Sequence, residues 1–253
     1  MFNKYYSTIF IIHTPSALRA SPPQGGGEGR GKNMKKLIID FDSTLVKVEA
    51  LDELAERALV EHRDRDALVT EIKKITELGM NGEISFPESL SRRIKLIQTT
   101  REVVAEVADC IKEKISYSVL NNLDFFKENK DNIFIISGGF KDLIFPTAEI
   151  LGIHPANILA NDFIFDNEGN LIGVDNDNLM AQENGKVNQL KILNLEGELI
   201  MVGDGWTDYQ TKEFGVVDKF IAYTENVSRE TVVKKADVVA KDFKEVIEFV
   251  TSY

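Results

Sequence analysis

Leu37-Ile38-Ile39-Asp40-Phe41-Asp42-Ser43-Thr44 runs from an apolar stretch into two aspartates set two residues apart. Leu37 to Ile39 reads as a strand buried on both faces, the kind that parallel sheets contain. If strand geometry continues, its period of two puts Asp40 and Asp42 on one face. Like charges held that close resist joint ionisation, and one carboxyl is pushed to a higher pKa. Turn chemistry explains an isolated D-x-D-S-T equally well, because Asp and Ser favour turns and cap the helix that follows. The rest of the chain has to decide.

Similar apolar runs recur at residues 133–136, 199–202 and 220–222, with helical patterns between several of them. Such alternation predicts an α/β fold: a Rossmann-like parallel sheet with helices on both faces. Ligands of such sheets bind beyond the carboxyl ends of the strands. Asp40 and Asp42 lie at one such end, Ser137-Gly138-Gly139 and Gly203-Asp204-Gly205 at two others. Residues 49–118 carry no strand signal. Leu51, Leu54, Ala55, Ala58 and Leu59 have helical spacing there, and Ser85-Phe86-Pro87-Glu88 has the S-x-x-E form of a capping box. Leu90, Ile94 and Ile97 would form the apolar face of the helix it opens. A helical insertion this long exceeds a simple crossover and reads as a mobile cap domain, 49–118, set into a catalytic core of 34–48 and 119–253. Residues 163–165 and 171–174 flank Asn167-Glu168-Gly169-Asn170 and read as a β-hairpin.

The chain has 253 residues, 43% of them hydrophobic, and can bury a sizeable core. Its net charge is −11 with no basic stripe, which argues against nucleic acid or an anionic membrane as partner. A small anion held in one local basic pocket remains compatible. No apolar run reaches membrane-spanning length. The single cysteine, Cys110, cannot form an intramolecular disulfide and points to a reducing cytoplasm. Its place among Val103, Val104, Val107 and Ile111 predicts a packing role. Residues 1–33 include a Pro/Gly-rich stretch and read as a disordered extension. Their basic excess, Lys4, Arg19, Arg30 and Lys32 against Glu28, leaves a transit peptide open, and Met34-Lys35-Lys36 leads into the first strand as a natural start would.

Three signals follow the first. Small residues at Ser137-Gly138-Gly139 let the backbone approach an anion, with Ser137 as an extra donor. Lys186 follows Asn184-Gly185 and precedes Val187, Leu190 and Leu193, a helical spacing. In Gly203-Asp204-Gly205-Trp206-Thr207-Asp208, a helical turn would put Asp204 and Asp208 on one face. Singly, each has a bland reading as a loop, a solvated lysine or a turn. Together they bring carboxylates in from two strand ends, which repel unless a hard cation sits among them. Mg²⁺ takes octahedral oxygen ligands and binds through a few carboxylates plus substrate phosphate. Lys186, Ser137 and loop amides would supply the remaining positive potential.

D-F-D-S-T, S-G-G-F, a loop lysine and G-D-G-W-T-D, in that order, resemble the four motifs of the haloacid dehalogenase superfamily. The D-x-D-S-T form, the helical cap directly after it and the S-G-G-F form resemble its phosphoserine phosphatase branch in particular. The likeness runs from Met34 onward. It implies Asp40 as nucleophile, Asp42 as general acid and then base, and Mg²⁺ held by the Asp40 carboxylate, the Asp42 carbonyl and Asp204, with Asp208 in support. It implies that Ser137, Gly138 and Lys186 hold the phosphate. Glu49 falls where that branch binds an amino group, Met80 and Phe86 match its apolar cap residues, and Thr207 stands where members use Asn or Thr. Trp206 departs from the usual small residue, and packing beside the loop and narrowing the pocket are its two readings.

Phe86, Leu90, Arg93 and Ile97 share a helical face, so Arg93 points inward and needs an anion. A cap glutamate and a substrate carboxylate gripped in a bidentate fork are the two readings. Anion, cation and phosphate sites together describe O-phospho-L-serine, a small phosphorylated amino acid whose hydrolysis ends serine synthesis. Phosphotransfer to homoserine or another alcohol shares the first half-reaction. Phosphorylated choline or ethanolamine would leave Arg93 unexplained, and a catalytically silent binding module would leave four intact motifs unexplained. His62 and His154 are isolated and read as surface or packing residues.

Overall fold

A central strand, β1 (Lys35–Ile39), pairs in parallel with a strand on each side. The computed structural model describes residues 35–252. The expectations for residues 1–33 and for Met34 lie outside the described residues. The chain continues through helices α1 (Ala50–Ala58), α2 (Arg65–Met80), α3 (Phe86–Ile94) and α4 (Arg101–Ile111). Short helices α5 (Tyr117–Leu120) and α6 (Leu123–Glu128) lead into β2 (Ile133–Phe140) and α7 (Lys141–Leu151). Strands β3 (Ile158–Asn161), β4 (Phe163–Phe165) and β5 (Leu171–Val174) precede α8 (Gly185–Leu193), β6 (Glu198–Gly203) and α9 (Trp206–Glu213). Strand β7 (Lys219–Tyr223), α10 (Glu230–Val233), β8 (Val238–Ala240) and α11 (Phe243–Thr251) complete the fold.

Six strands form one parallel sheet in the order β3-β2-β1-β6-β7-β8. Strand order reverses at β1, so its carboxyl end opens the crevice where such sheets bind ligands. The period of two is visible in the core. Leu37, Ile39, Ile133, Ile135, Ile200 and Val202 pack on one face, and Ile38, Phe134, Ile136 and Met201 on the other. Burying each of these side chains contributes about 1.5–3 kcal/mol. The first face continues into Leu51, Leu54, Ile72, Leu90 and Val104, so the helical insertion shares the core of the sheet.

The insertion behaves locally as its sequence requires. Ser85 accepts a hydrogen bond from the Glu88 N–H at 3.3 Å and caps α3, with Pro87 in the first turn. The reciprocal bond of a full capping box is replaced by an ion pair from Glu88 to Arg92. The chain enters and leaves the insertion side by side: Val46 bridges Ile115, and Lys47 N–H donates to the Lys114 carbonyl at 2.9 Å. The expected hairpin forms at β4 and β5.

Three expectations are corrected. Strand pairing ends with Asp40: residues 41–45 form a wide turn closed by the Val46 N–H on the Phe41 carbonyl at 3.2 Å, with Ser43 in the left-handed region at φ 52°. Strand β2 does not stop before Ser137 but continues to Phe140 through a register irregularity, which its two glycines accommodate. Cys110 is exposed, because α4 buries Val104, Val107, Ala108 and Ile111 and turns residue 110 outward. Among the described residues no helix is long and apolar enough to cross a membrane.

Candidate active site

The carboxyl ends of β1, β2 and β6 converge on one buried group of charges. Asp40 extends β1 by one sheet bond, its N–H donating to the Val202 carbonyl at 2.9 Å. Its Oδ1 accepts from the Phe41 N–H at 2.8 Å and pairs with Lys186 at 2.9 Å. The wide turn then swings Asp42 back into the site, where its Oδ1 accepts from the Ala50 N–H at 2.8 Å. Its other oxygen faces Gly139, where an added Cβ would lie 2.9 Å away. A side chain at that position would have to displace the Asp42 carboxylate. Asn226 clasps the same turn, its Nδ2 donating to the Ser43 carbonyl at 3.0 Å and to Ser116 Oγ at 2.7 Å.

Strand β6 delivers Asp204, and Asp208 follows on the first turn of α9. Asp208 Oδ2 accepts from the Gly205 N–H at 3.0 Å, and its Oδ1 binds Lys186 at 2.6 Å. Asp40, Asp204 and Asp208 are buried, with one oxygen from each lying within 4.8 Å of the others. Thr44 Oγ1 donates to Asp204 at 3.3 Å. An all-oxygen set of three carboxylates is the donor chemistry of a hard divalent cation such as Mg²⁺. Charge balance agrees. Asp40, Asp42, Glu49, Asp204 and Asp208 face Lys186, Arg93 and Arg229, five carboxyls against three cations. The residues therefore fit a bound dication.

Burial favours the protonated form of three of these carboxyls, Asp42, Glu49 and Asp208. Burial raises the Asp42 pKa well above the usual carboxylate range, and the neighbouring Glu49 and Asp40 raise it further against the Ala50 N–H and Arg93. Burial also lifts Glu49 to about 7, opposed by Arg229 and by a 2.7 Å bond from Ser43 Oγ. Burial alone would lower Lys186, but Asp208 and Asp40 outweigh it and hold the ammonium charged above its ordinary range.

The insertion supplies the roof. Arg93 is 6% exposed. It donates to Thr76 Oγ1 at 3.3 Å and to the Ser89 carbonyl at 3.4 Å. Among the described residues no carboxylate pairs with it, so the expected alternative of a cap glutamate is absent. Burial lowers its pKa, opposed by Asp52, Glu49 and Asp42, which places it over the same site. Glu49, Met80, Phe86, Arg93, Ser137, Gly138, Lys186 and Thr207 line one cavity with Asp40 and Asp42. Ser137 Oγ accepts from the Gly139 N–H at 3.0 Å. All the expected site residues are thus brought together. Two were not foreseen. Arg229, after β7, is pressed against Asp204 Oδ2 and also pairs with Glu49 at 3.7 Å and Glu77 at 3.5 Å. Asn226 is the other. Both sit in a loop with no periodic pattern, and nothing in the sequence marks them.

Residues 37–213 match the family model of the haloacid dehalogenase-like hydrolases. The chain belongs to that family. Among these hydrolases it is similar to the chloroplastic phosphoserine phosphatase of Arabidopsis thaliana, 31% identical over 219 residues, covering 85% of this chain and 72% of the relative. Its fold is similar to that of a phosphoserine phosphohydrolase-like protein from Francisella tularensis, with TM-score 0.78 and 34% identity over 86% of this chain and all of that one, 100%. A substrate-bound phosphoserine phosphatase complex gives TM-score 0.68 and 29% identity over 85% and 98%.

Proposed function

We propose that this family member hydrolyses O-phospho-L-serine to L-serine and phosphate, the reaction that closes serine synthesis, through a phosphorylated Asp40. The observation that carries the reading is Arg93: a buried guanidinium that makes no direct ion pair among the described residues, in one cavity with Glu49 and the phosphate-holding group. A substrate with a carboxylate, an ammonium and a phosphate satisfies all three. The names of the relatives support it.

Asp40 Oδ1 is anchored by the Phe41 N–H and Lys186, which leaves Oδ2 to attack phosphorus. A bond forms between Oδ2 and phosphorus as the bond from phosphorus to the serine oxygen breaks. Asp42, kept protonated by burial and by Glu49 and Asp40, gives its proton to that oxygen. Asp42 then takes a proton from water, whose oxygen attacks phosphorus and releases phosphate from Asp40. Splitting the displacement this way replaces one difficult step by two easier ones. Lys186, Ser137 and Gly138 hold the equatorial phosphate oxygens, and Arg93, Glu49 and Thr207 orient the amino acid under Met80 and Phe86. Asp40, Asp204 and the Asp42 carbonyl would hold Mg²⁺, with Asp208 in support, and the cation when bound neutralises phosphoryl charge. The division of labour follows the chain: 49–118 selects, while 34–48 and 119–253 carry the chemistry.

A screen of small phosphomonoesters with Mg²⁺ tests the reading. Phosphoserine is expected to be hydrolysed with the highest kcat/KM, and a preference for phosphoethanolamine or phosphocholine would overturn it. Adding homoserine separates hydrolysis from phosphotransfer, since transfer would lower the free phosphate released for each serine formed.

A further inference from the structure

Trp206 has no part in the chemistry above, yet it meets the insertion directly. A Cβ on Gly82 would lie 2.7 Å from Trp206 Cγ and 2.8 Å from both Cδ1 and Cδ2. The indole therefore lies against the bare backbone of the turn between α2 and α3. That turn needs glycine twice over, since Gly82 also has φ 77°. A second contact runs the other way. A Cβ on Gly138 would lie 2.6 Å from Phe86 Cε2, so an aromatic ring of the insertion rests on the phosphate loop. Between the two contacts a cavity of about 270 Å³ separates Ile84 and Ser85 from Asn184 and Gln210.

Two further observations give these contacts work to do. The space at the carboxylates is only about 30 Å³, room for little more than one or two waters. That space is too small for an amino-acid phosphate, while the larger cavity beside it also reaches Gly138, Lys186 and Thr207; making room over Asp40 would require the insertion to lift, and a lift would separate the indole from Gly82. The indole is also braced from below: its ring centroid is 5.1 Å from that of Tyr209, which in turn lies 6.2 Å from Phe220. It is a preformed seat, and it opens the same helical turn that carries Asp208.

We propose that Trp206 is a positioning residue, the seat on which the turn at Gly82 closes and so sets Met80, Phe86 and Arg93 over Asp40. The positioning role rests on the phosphatase reading; the closing contact does not. A closed state that is populated only in part raises the apparent dissociation constant by that fraction. Loosening the seat therefore raises KM, and it leaves kcat unchanged or higher, because reopening releases product.

Trp206 is the single tryptophan of the chain, so fluorescence excited beyond the tyrosine band reports on this one side chain. The full chain with Mg²⁺ is titrated with acrylamide in the presence and absence of inorganic phosphate. Phosphate is expected to shield the indole roughly twofold by drawing the insertion down. Gly82→Ala, which pushes the ring off its seat, is expected to leave it equally open to quencher in both conditions. Trp206→Ala is expected to raise KM for phosphoserine roughly tenfold, equivalent to ~1.4 kcal/mol, and Trp206→Phe to restore most of it. Equal quenching of the wild type with and without phosphate would overturn the proposal. So would an unchanged KM in a folded Trp206→Ala protein. If Trp206→Ala does not fold, the Gly82→Ala quenching result decides. A wild type that spares phosphoserine but is still shielded by phosphate would refute the phosphatase reading and leave the seat standing.

Discussion

Replacing Arg93 with methionine separates recognition from chemistry. Methionine keeps the apolar stem and removes the guanidinium. Among the described residues the group makes two long hydrogen bonds, at 3.3 and 3.4 Å, each with a net contribution of ~0.5–1.5 kcal/mol. The fold should therefore lose about 1–3 kcal/mol at most and stay assembled. The loss against substrate is larger. Truncating one partner of a buried charged pair costs ~2–5 kcal/mol, which is roughly thirtyfold to a few thousandfold at 1.4 kcal/mol per decade. One effect is shared by all substrates: Arg93 helps to hold the Asp42 pKa down, and its removal lets that pKa rise further. The ratio between two substrates cancels this term. Phosphate release is measured with phosphoserine and with phosphoethanolamine, which keeps phosphate and ammonium but has no carboxylate. The ratio of kcat/KM should fall at least thirtyfold in Arg93→Met, with Arg93→Lys between, since lysine keeps charge but not the fork. Parallel losses on both substrates would show that Arg93 only supports the fold.

Asp42→Asn should be nearly inactive on phosphoserine. On nitrophenyl phosphate, whose leaving group needs no proton, it should give a burst of nitrophenol close to one per site, with phosphate trapped on Asp40; Asp40→Asn should show neither, and trapped phosphate on that variant would reverse the assignment. Glu49, with its pKa at about 7, is charged above that pH and neutral below it, so its hold on the substrate ammonium weakens as pH falls. KM for phosphoserine should rise below about pH 7, and this limb should be missing for 2-phosphoglycolate and for Glu49→Gln; an unchanged profile in Glu49→Gln would assign the limb elsewhere. Mg²⁺ relieves repulsion among Asp40, Asp204 and Asp208, so it should raise Tm in the absence of substrate. The gain is about 2.7 kcal/mol at a hundredfold excess over Kd; excess chelator should remove both the gain and the activity, and an Asp204→Asn protein with an undiminished Mg²⁺ shift would refute the site.

Much of this centre was legible because its chemistry restricts which residues can stand at strand ends. Asp40, Asp42, Asp204 and Asp208 are each ordinary turn residues, but four carboxyls at the ends of two buried strands repel without a cation, and the apolar runs before them locate the strands. The insertion was legible for the opposite reason, a long stretch of 3.6-residue period without alternation. What escaped was set by tertiary contact. The edge strands β3 and β8 are four and three residues long and borrow their geometry from the neighbour they pair with. The continuation of β2 through Gly138 and Gly139 depends on Phe140 pairing with Asn161, which no local propensity predicts. Arg229 reaches Asp204 and Glu49 across a distance in sequence that only the fold closes. Cys110 could have been placed correctly: Val104, Val107, Ala108 and Ile111 already define the buried stripe, and residue 110 lies off it.

The bridge between Val46 and Ile115 gives the chain the topology of a cassette. The α-carbons of such antiparallel partners lie about 4.5–5.5 Å apart, so a tight turn could splice them after excision of everything between. Asp40, Asp42, Ser137, Lys186, Asp204 and Asp208 would all remain on the retained polypeptide. At the splice, the main loss to the retained carboxyls would be the bond from the Ala50 N–H to Asp42. The exchange has one condition: Leu51, Leu54, Ile72, Leu90 and Val104 share a buried core with Ile39, Ile135 and Val202, so any replacement must cover that same face. An insert that restores that face could be exchanged as one genetic unit while the carboxyls keep their places on the sheet.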